Sequence, residues 1–255
     1  MRVVQIPLLR DNYAYLVVCE ATREAAVVDP SEAGPVLRQV EKEEVNLKAI
    51  LNTHHHWDHT GGNADLLQRF SLRVYGHRRD QGRIPGLTHP LDEGDEVVIG
   101  KLQAKVLFIP GHTKGHIAYL FPGGLFCGDT LFVAGCGRLF EGSAEEMHSS
   151  LNKLKDLPTE TLVYCGHEYT EKNLQFALTL EPDNPRLAEK IQRVRSLRAR
   201  GLSTVPSTMA EERETNPFLR WDSREIHQNL ERSFPDLSPD PVSVFARTRE
   251  LKDKF

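Results

Sequence analysis

Apolar runs are short in this chain of 255 residues. None approaches the ~20 consecutive apolar residues that a membrane-spanning helix needs, so no membrane partner is expected. No secretory leader is expected either. Met1-Arg2 runs into Val3-Val4-Gln5-Ile6-Pro7-Leu8-Leu9, a strand-like stretch too short and broken for a signal core, with no small-residue cleavage site after it. A cytoplasmic location is the resulting expectation. Positive charge is not in excess: 32 Lys and Arg stand against 36 Asp and Glu, for a net charge of −4. Proteins that bind nucleic acids need a cationic surface to neutralise phosphates, so no nucleic-acid partner is expected. The four cysteines, Cys19, Cys127, Cys136 and Cys165, form no C-x-x-C pair. Three of them, Cys19, Cys127 and Cys165, lie in apolar, strand-like surroundings, where buried reduced thiols are expected. Internal repeats and low-complexity segments are also absent.

What is present is an ordinary globular composition, 39% hydrophobic and 27% charged. A chain of this length can bury a core without disulfides or oligomerisation, and a monomer is expected. Strand and helix patterns alternate over the first two thirds. Strands are predicted at residues 13–19, 25–28, 48–52, 73–75, 96–99, 103–109, 117–121, 125–127 and 162–164. One helix is predicted over Val36, Leu37 and Val40, capped by Asp29 or Ser31. Others are predicted over Leu66, Leu67 and Phe70, and over residues 144–154. Beyond about residue 171 the strand signals fade. Leu187, Ile191, Val194 and Leu197 share one helical face, and Arg193, Arg195, Arg198 and Arg200 make the other face basic and solvated. The expected organisation is an α/β domain over residues 1–170 and a smaller all-α domain over residues 171–255.

The chemistry concentrates in Thr53-His54-His55-His56-Trp57-Asp58-His59, an H-x-H-x-D-H pattern directly after the predicted strand that ends at Asn52. Alternate side chains of extended backbone point the same way, so His54 and His56 can chelate one ion. Asp58 and His59 follow a bend and can face a second. Imidazole with carboxylate suits zinc, iron or manganese. One loop cannot supply all the ligands that two ions require. Three further strand ends share one grammar, an apolar run, then glycine, then a ligand-type residue: Gly111-His112, Gly128-Asp129 and Gly166-His167. Glycine permits the sharp turn and close approach that such a position needs. Near the end, Arg249 and Lys252 lie three apart on one face of a predicted helix. That pair reads either as a solvated helix end or as an anion site.

These motifs resemble those of the metallo-β-lactamase superfamily, and within it the glyoxalase II branch. The likeness extends to Asp11-Asn12-Tyr13, to Gly135-Cys136-Gly137-Arg138-Leu139-Phe140-Glu141-Gly142 and to Lys252-Asp253-Lys254-Phe255. The resemblance implies a four-layer αββα sandwich followed by a helical substrate-binding domain. It implies two divalent metal ions, with zinc foremost and iron or manganese as alternatives. His54, His56 and His112 would bind the first, Asp58, His59 and His167 the second, and Asp129 would bridge them. His55 and His116 match no ligand position; His55 is expected to point away and His116 to make a structural hydrogen bond. Arg249 and Lys252 match positions that bind the glycine carboxylate of glutathione, and Tyr169 matches a residue contacting its peptide backbone. Arg138 stands where some members carry Lys, and Phe140 where some carry Tyr, which removes one hydroxyl contact.

The implied reaction is hydrolysis of a glutathione thioester. A bridging hydroxide held by the metal ligands would attack the thioester carbonyl, with Asp58 orienting it or taking its proton. Cys136 is not expected to act as a nucleophile. The rival within the superfamily is a mononuclear iron dioxygenase acting on glutathione persulfide, against which Asp58, His59 and His167 argue. Nuclease and β-lactamase readings are disfavoured by the acidic net charge and by the helical tail.

Overall fold

Strand β1 (Arg2–Leu8) pairs antiparallel with β2 (Asn12–Val18), and every residue of β2 is buried. A strand buried throughout has both faces covered, and the side-chain period of two divides its residues between two different layers. Ala14, Leu16 and Val18 join one apolar cluster with residues of the helices described below, whereas Tyr15 points to the other side.

The computed structural model describes all residues, Met1–Phe255, as two compact units. The first comprises residues 1–108 and 114–128. After β2 it continues through β3 (Glu24–Val28), α1 (Ala33–Lys42), β4 (Asn46–Leu51), α2 (Trp57–Thr60), α3 (Asn63–Arg69), β5 (Arg73–His77) and β6 (His89–Leu91). The six strands make one sheet in sequence order, antiparallel from β1 to β3 and parallel from β3 to β6. Val36 and Val40 of α1 and Leu66 of α3 close over Leu16, Val27 and Ile50 of that sheet. A meander follows: β7 (Glu96–Ile99), β8 (Leu102–Phe108), β9 (Ile117–Phe121) and β10 (Gly124–Gly128), each antiparallel to the next. Tyr15 of β2 meets Phe126 of β10 edge-on, with centroids 5.5 Å apart, so the meander covers the face opposite the helices. Helix, sheet and sheet are thus three stacked layers within this unit.

The second unit comprises residues 109–113 and 129–255. It contains the small hairpin β11 (Leu131–Phe132) and β12 (Gly135–Cys136), then α4 (Ala144–Lys155), β13 (Leu162–Cys165), α5 (Thr170–Leu180) and α6 (Pro185–Ala199). β14 (Ser207–Thr208), α7 (Met209–Thr215), α8 (Arg224–Glu231) and α9 (Pro241–Lys254) complete it. Helix α4 starts at a full capping box between Ser143 and Glu146, which satisfies two orphan amides at once. Helix α6 starts at Asn184 with Pro185 behind it. It buries Leu187, Ile191 and Val194, with its four arginines exposed as the spacing predicts.

Two expectations fail locally. Neither Asp29 nor Ser31 caps α1; the N-cap is Glu32, with no side-chain bond. Both side chains are drawn to the histidine loop instead, Asp29 to Thr53 and His59, Ser31 to the carbonyl of Asp58. The last third is also not purely helical, because Ser207 and Thr208 pair with Val163 and Leu162. Two residues carry too little periodicity to be read as a strand. Cys19, Cys127 and Cys165 are free and buried, as expected, and so is Cys136; no helix is long and apolar enough to cross a membrane.

Candidate metal centre and substrate site

The histidine loop leaves β4 and turns into the four-residue helix α2, so the bend expected after His56 is a helical turn. His54 is fully buried and His59 nearly so. Their tautomers follow from their neighbours. Asp29, an acceptor only, takes the hydroxyl proton of Thr53 (2.7 Å) and the amide of Thr53 (2.8 Å). The Thr53 oxygen can then only accept from Nδ1–H of His54, 3.0 Å away, which leaves a lone pair on Nε2. That Nε2 lies 3.1 Å from Nδ1 of His56. Asp29 also holds Nδ1 of His59 at 3.1 Å, turning the His59 Nε2 lone pair toward Oδ2 of Asp58 at 3.8 Å. Asn12 fixes Asp58 by donating to its carbonyl (2.9 Å) and to Oδ2 (3.1 Å).

The second unit carries the other three candidates. Nδ1 of His112 donates to the carbonyl of Arg138 at 2.8 Å, so its Nε2 bears a lone pair. That atom faces Oδ2 of Asp129 at 3.6 Å, and Nε2 of His167 faces the same oxygen at 3.3 Å. Tyr169 stacks on His167 with centroids 4.7 Å apart and planes within 6°. Two close approaches shape this region. Gly111 has φ +144, and a Cβ there would strike Met147 of α4. A Cβ on Gly137 would lie 2.0 Å from the carbonyl of Asp129 and 2.9 Å from His112 Nδ1.

In both units, then, an imidazole nitrogen with its lone pair outward confronts a carboxylate oxygen. Two electron-pair donors aimed at each other are stabilised by a cation between them, and the far nitrogens of His54, His59 and His112 are held by a hydroxyl, a carboxylate and a carbonyl, the usual support of a metal-binding histidine. In each unit, the His/Asp group fits the binding of a metal ion. His55 and His116 stand apart from it. His55 turns to Asp80 (3.3 Å) and to Arg83. His116, fully buried, stacks on His54 at 4.6 Å. Sequence reasoning missed Asp29, Thr53 and the Arg138 carbonyl. Asp29 had a signal of its own, a carboxylate at the end of a buried strand next to proline.

The expected anion-binding residues all belong to the second unit. Arg138 is exposed, at 67%. Lys252 donates to the carbonyl of Lys172 (3.3 Å) between the rings of Phe176 and Phe255. Burial, reinforced by Arg249, lowers its pKa to about 8. Arg249 is only 4% exposed, so it is not part of a solvated helix end. It donates to the Cys136 carbonyl at 2.9 Å and lies over Phe218. Phe140 is 62% exposed, with its ring 5.2 Å from that of His112. Burial pushes the Cys136 thiol up to about 11, which removes it as a nucleophile near neutral pH.

Comparison with known proteins matches residues 9–167 to the metallo-β-lactamase superfamily and residues 168–255 to the hydroxyacylglutathione hydrolase C-terminus. A hydroxyacylglutathione hydrolase from Gloeobacter violaceus is 55% identical over 258 residues, with all of both chains covered. Among solved structures, ETHE1 from Myxococcus xanthus is 28% identical with a TM-score of 0.69, over 99% of this chain and 98% of that one. TTHA1623 in a di-iron-bound form is 28% identical with a TM-score of 0.61, over 86% of this chain and 100% of that one. The fold is the metallo-β-lactamase fold with a C-terminal helical domain, as the motifs implied. The chain belongs to the hydroxyacylglutathione hydrolase family of the metallo-β-lactamase superfamily.

Proposed function

We infer that the chain is a metal-dependent thioester hydrolase that converts S-(2-hydroxyacyl)glutathione and water to glutathione and a 2-hydroxy acid. The observation that carries this reading is the whole-length identity of 55% to a hydroxyacylglutathione hydrolase. Its preferred substrate is S-D-lactoylglutathione, which yields D-lactate in the second step of methylglyoxal detoxification, in the cytoplasm. The catalytic domain spans residues 1–170 and the substrate-binding domain residues 171–255.

The proposed ligand sets are His54, His56 and His112 for one ion, and Asp58, His59 and His167 for the other, with Asp129 bridging. Zinc is the proposed metal; iron and manganese suit the same donors. When bound, the ions would lower the pKa of a water to about 7 and polarise the acyl oxygen. Asp58, held by Asn12, orients the attacking water and accepts its proton through the carboxylate. The leaving group is a thiolate, so no strong general acid is required. Arg249 and Lys252 bind the glycine carboxylate, with the exposed charge of Arg138 beside them. Tyr169, stacked on His167, contacts the peptide. Phe140 offers an apolar ring and no hydroxyl to the same ligand.

The test is loss of thioester absorbance with S-D-lactoylglutathione, paired with metal analysis of the same sample. Turnover with two ions per chain is expected. A fully metallated protein that leaves the thioester intact overturns the reading. Oxygen uptake with glutathione persulfide and one iron per chain would support the dioxygenase instead.

A further inference from the structure

Asp253 stands in the last turn of α9, where a negative charge is unfavourable. The helix macrodipole there favours cations, which Lys252 and Lys254 supply. Asp253 also pairs with Arg249 in the weaker of the two i,i+4 orders, the basic residue coming first. Helix stability therefore does not account for it. What it does is share one oxygen between two cations: Oδ1 lies 3.0 Å from Nη2 of Arg249 and 3.9 Å from Nε of Arg138. Arg249 does not need this contact to stay in place, because burial, the Cys136 carbonyl and the Phe218 ring already hold it. Its buried Nε has no hydrogen-bond partner, so the guanidinium retains a free donor. The Asp253 carboxylate, 45% exposed, thus occupies the position that a ligand carboxylate would take between the same charges.

We propose that Asp253 is an internal competitor for the carboxylate site, a residue that weakens the hold on glutathione and so speeds its release. This rests on the reading that Arg138, Arg249 and Lys252 receive the glycine carboxylate. On arrival the ligand carboxylate displaces Asp253 from Arg138, whose exposed side chain is free to swing toward it. Binding energy is spent equally on substrate and product, and Asp253 lowers both affinities together.

The test compares the metallated wild type with Asp253→Asn by calorimetric titration with glutathione, alongside steady-state kinetics with S-D-lactoylglutathione. The Kd for glutathione is expected to fall about two- to fivefold, the weight of one partly exposed charge pair, with a parallel fall in KM. The glycine monoethyl ester of glutathione, which lacks the carboxylate, should bind both proteins equally. Asp253→Ala should repeat the result, with thermal unfolding and metal content matched to wild type. Unchanged or weaker glutathione binding by the folded variants, with wild type binding normally, overturns the role of Asp253 alone. A wild type that neither binds glutathione nor hydrolyses the thioester overturns this role together with the functional reading beneath it.

Discussion

Glu212→Gln should unfold the protein at a markedly lower temperature, although the two side chains have the same shape. Glu212 is fully buried and accepts four hydrogen bonds. Lys190 Nζ (2.9 Å) and Ser207 Oγ (2.6 Å) donate to Oε1; the amide of Ala134 (2.7 Å) and Asn216 Nδ2 (3.0 Å) donate to Oε2. Whichever way the glutamine amide turns, its NH2 confronts two donors. The Lys190 ammonium, 4% exposed, is left with Glu211 at 3.5 Å as its remaining counter-charge. Removing one partner of a buried ion pair costs about 3–5 kcal/mol. Glu211 puts this case at the lower end, about 3 kcal/mol. For a chain of this size that corresponds to a fall in Tm of roughly 6–12 °C. Circular dichroism melting of the metallated protein measures it. Ala134 sits at the tip of the β11–β12 hairpin with φ +54, between Asp129 and Arg138, so metal release should set in at the same lowered temperature. A variant melting within about 2 °C of wild type would refute the view that this pair holds the hairpin.

Three further outcomes follow from the site. Asp129→Ala, which removes the oxygen shared by His112 and His167, should abolish turnover and reduce bound metal; near-normal hydrolysis would count against the ligand set. Gly137→Ala forces a methyl against the Asp129 carbonyl, so metal content and Tm should both fall, and retention of two ions at wild-type affinity would contradict the packing. Lys252, lowered to about 8 from its ordinary 10.5, should make KM rise as pH passes through about 8 and the charge is lost. The sign for stability is the opposite. Between about 8 and 10.5 the unfolded chain binds the extra proton, so the cost of the buried charge, full below pH 8, is relieved as pH rises. A pH-independent KM from 7 to 9 would rule out Lys252 as the titrating cation.

The clustering of the candidate ligands was legible because they follow strand ends, where a short run of sequence fixes both the direction of the backbone and the side chain displayed. His54, His56, Asp58 and His59 needed only one strand and one turn to be placed. The glycine grammar was partly informative: Gly111 and Gly128 adopt positive φ, whereas Gly166 does not. Asp29 was misread because capping a nearby helix and supporting a distant histidine use the same residue type, and only tertiary contact decides between them. The proposed anion site stood out as a pair of cations, but the spacing did not separate the buried Arg249 from the half-buried Lys252. Nor did it disclose that Asp253 lies against the first of them. Charge placement across segments separated by more than a hundred residues, such as Arg138 and Asp253, leaves no local pattern to read.

The support given by Asp29 can be tested apart from the ligands themselves. Its carboxylate accepts from the Thr53 amide, the Thr53 hydroxyl and His59 Nδ1. In Asp29→Asn one oxygen becomes an NH2 group. If that group replaces Oδ2, it faces both His59 Nδ1 and the Thr53 hydroxyl: Nδ1 becomes an acceptor and the His59 proton moves to Nε2, while the Thr53 hydroxyl, now accepting, turns its proton to His54 Nδ1 and sends that ring's proton to Nε2 as well. If it faces the Thr53 amide instead, two donors collide beneath His54. The first arrangement costs less, because tautomer exchange within the His59 and His54 rings leaves the loop backbone unmoved. Affinity for both ions should therefore fall, by about 10- to 100-fold, the usual effect of removing such a supporting group. Competition against a chelator, followed by metal analysis, distinguishes loss of one ion from loss of both. Two ions held at unchanged affinity would mean that the His59 tautomer is set by something other than Asp29.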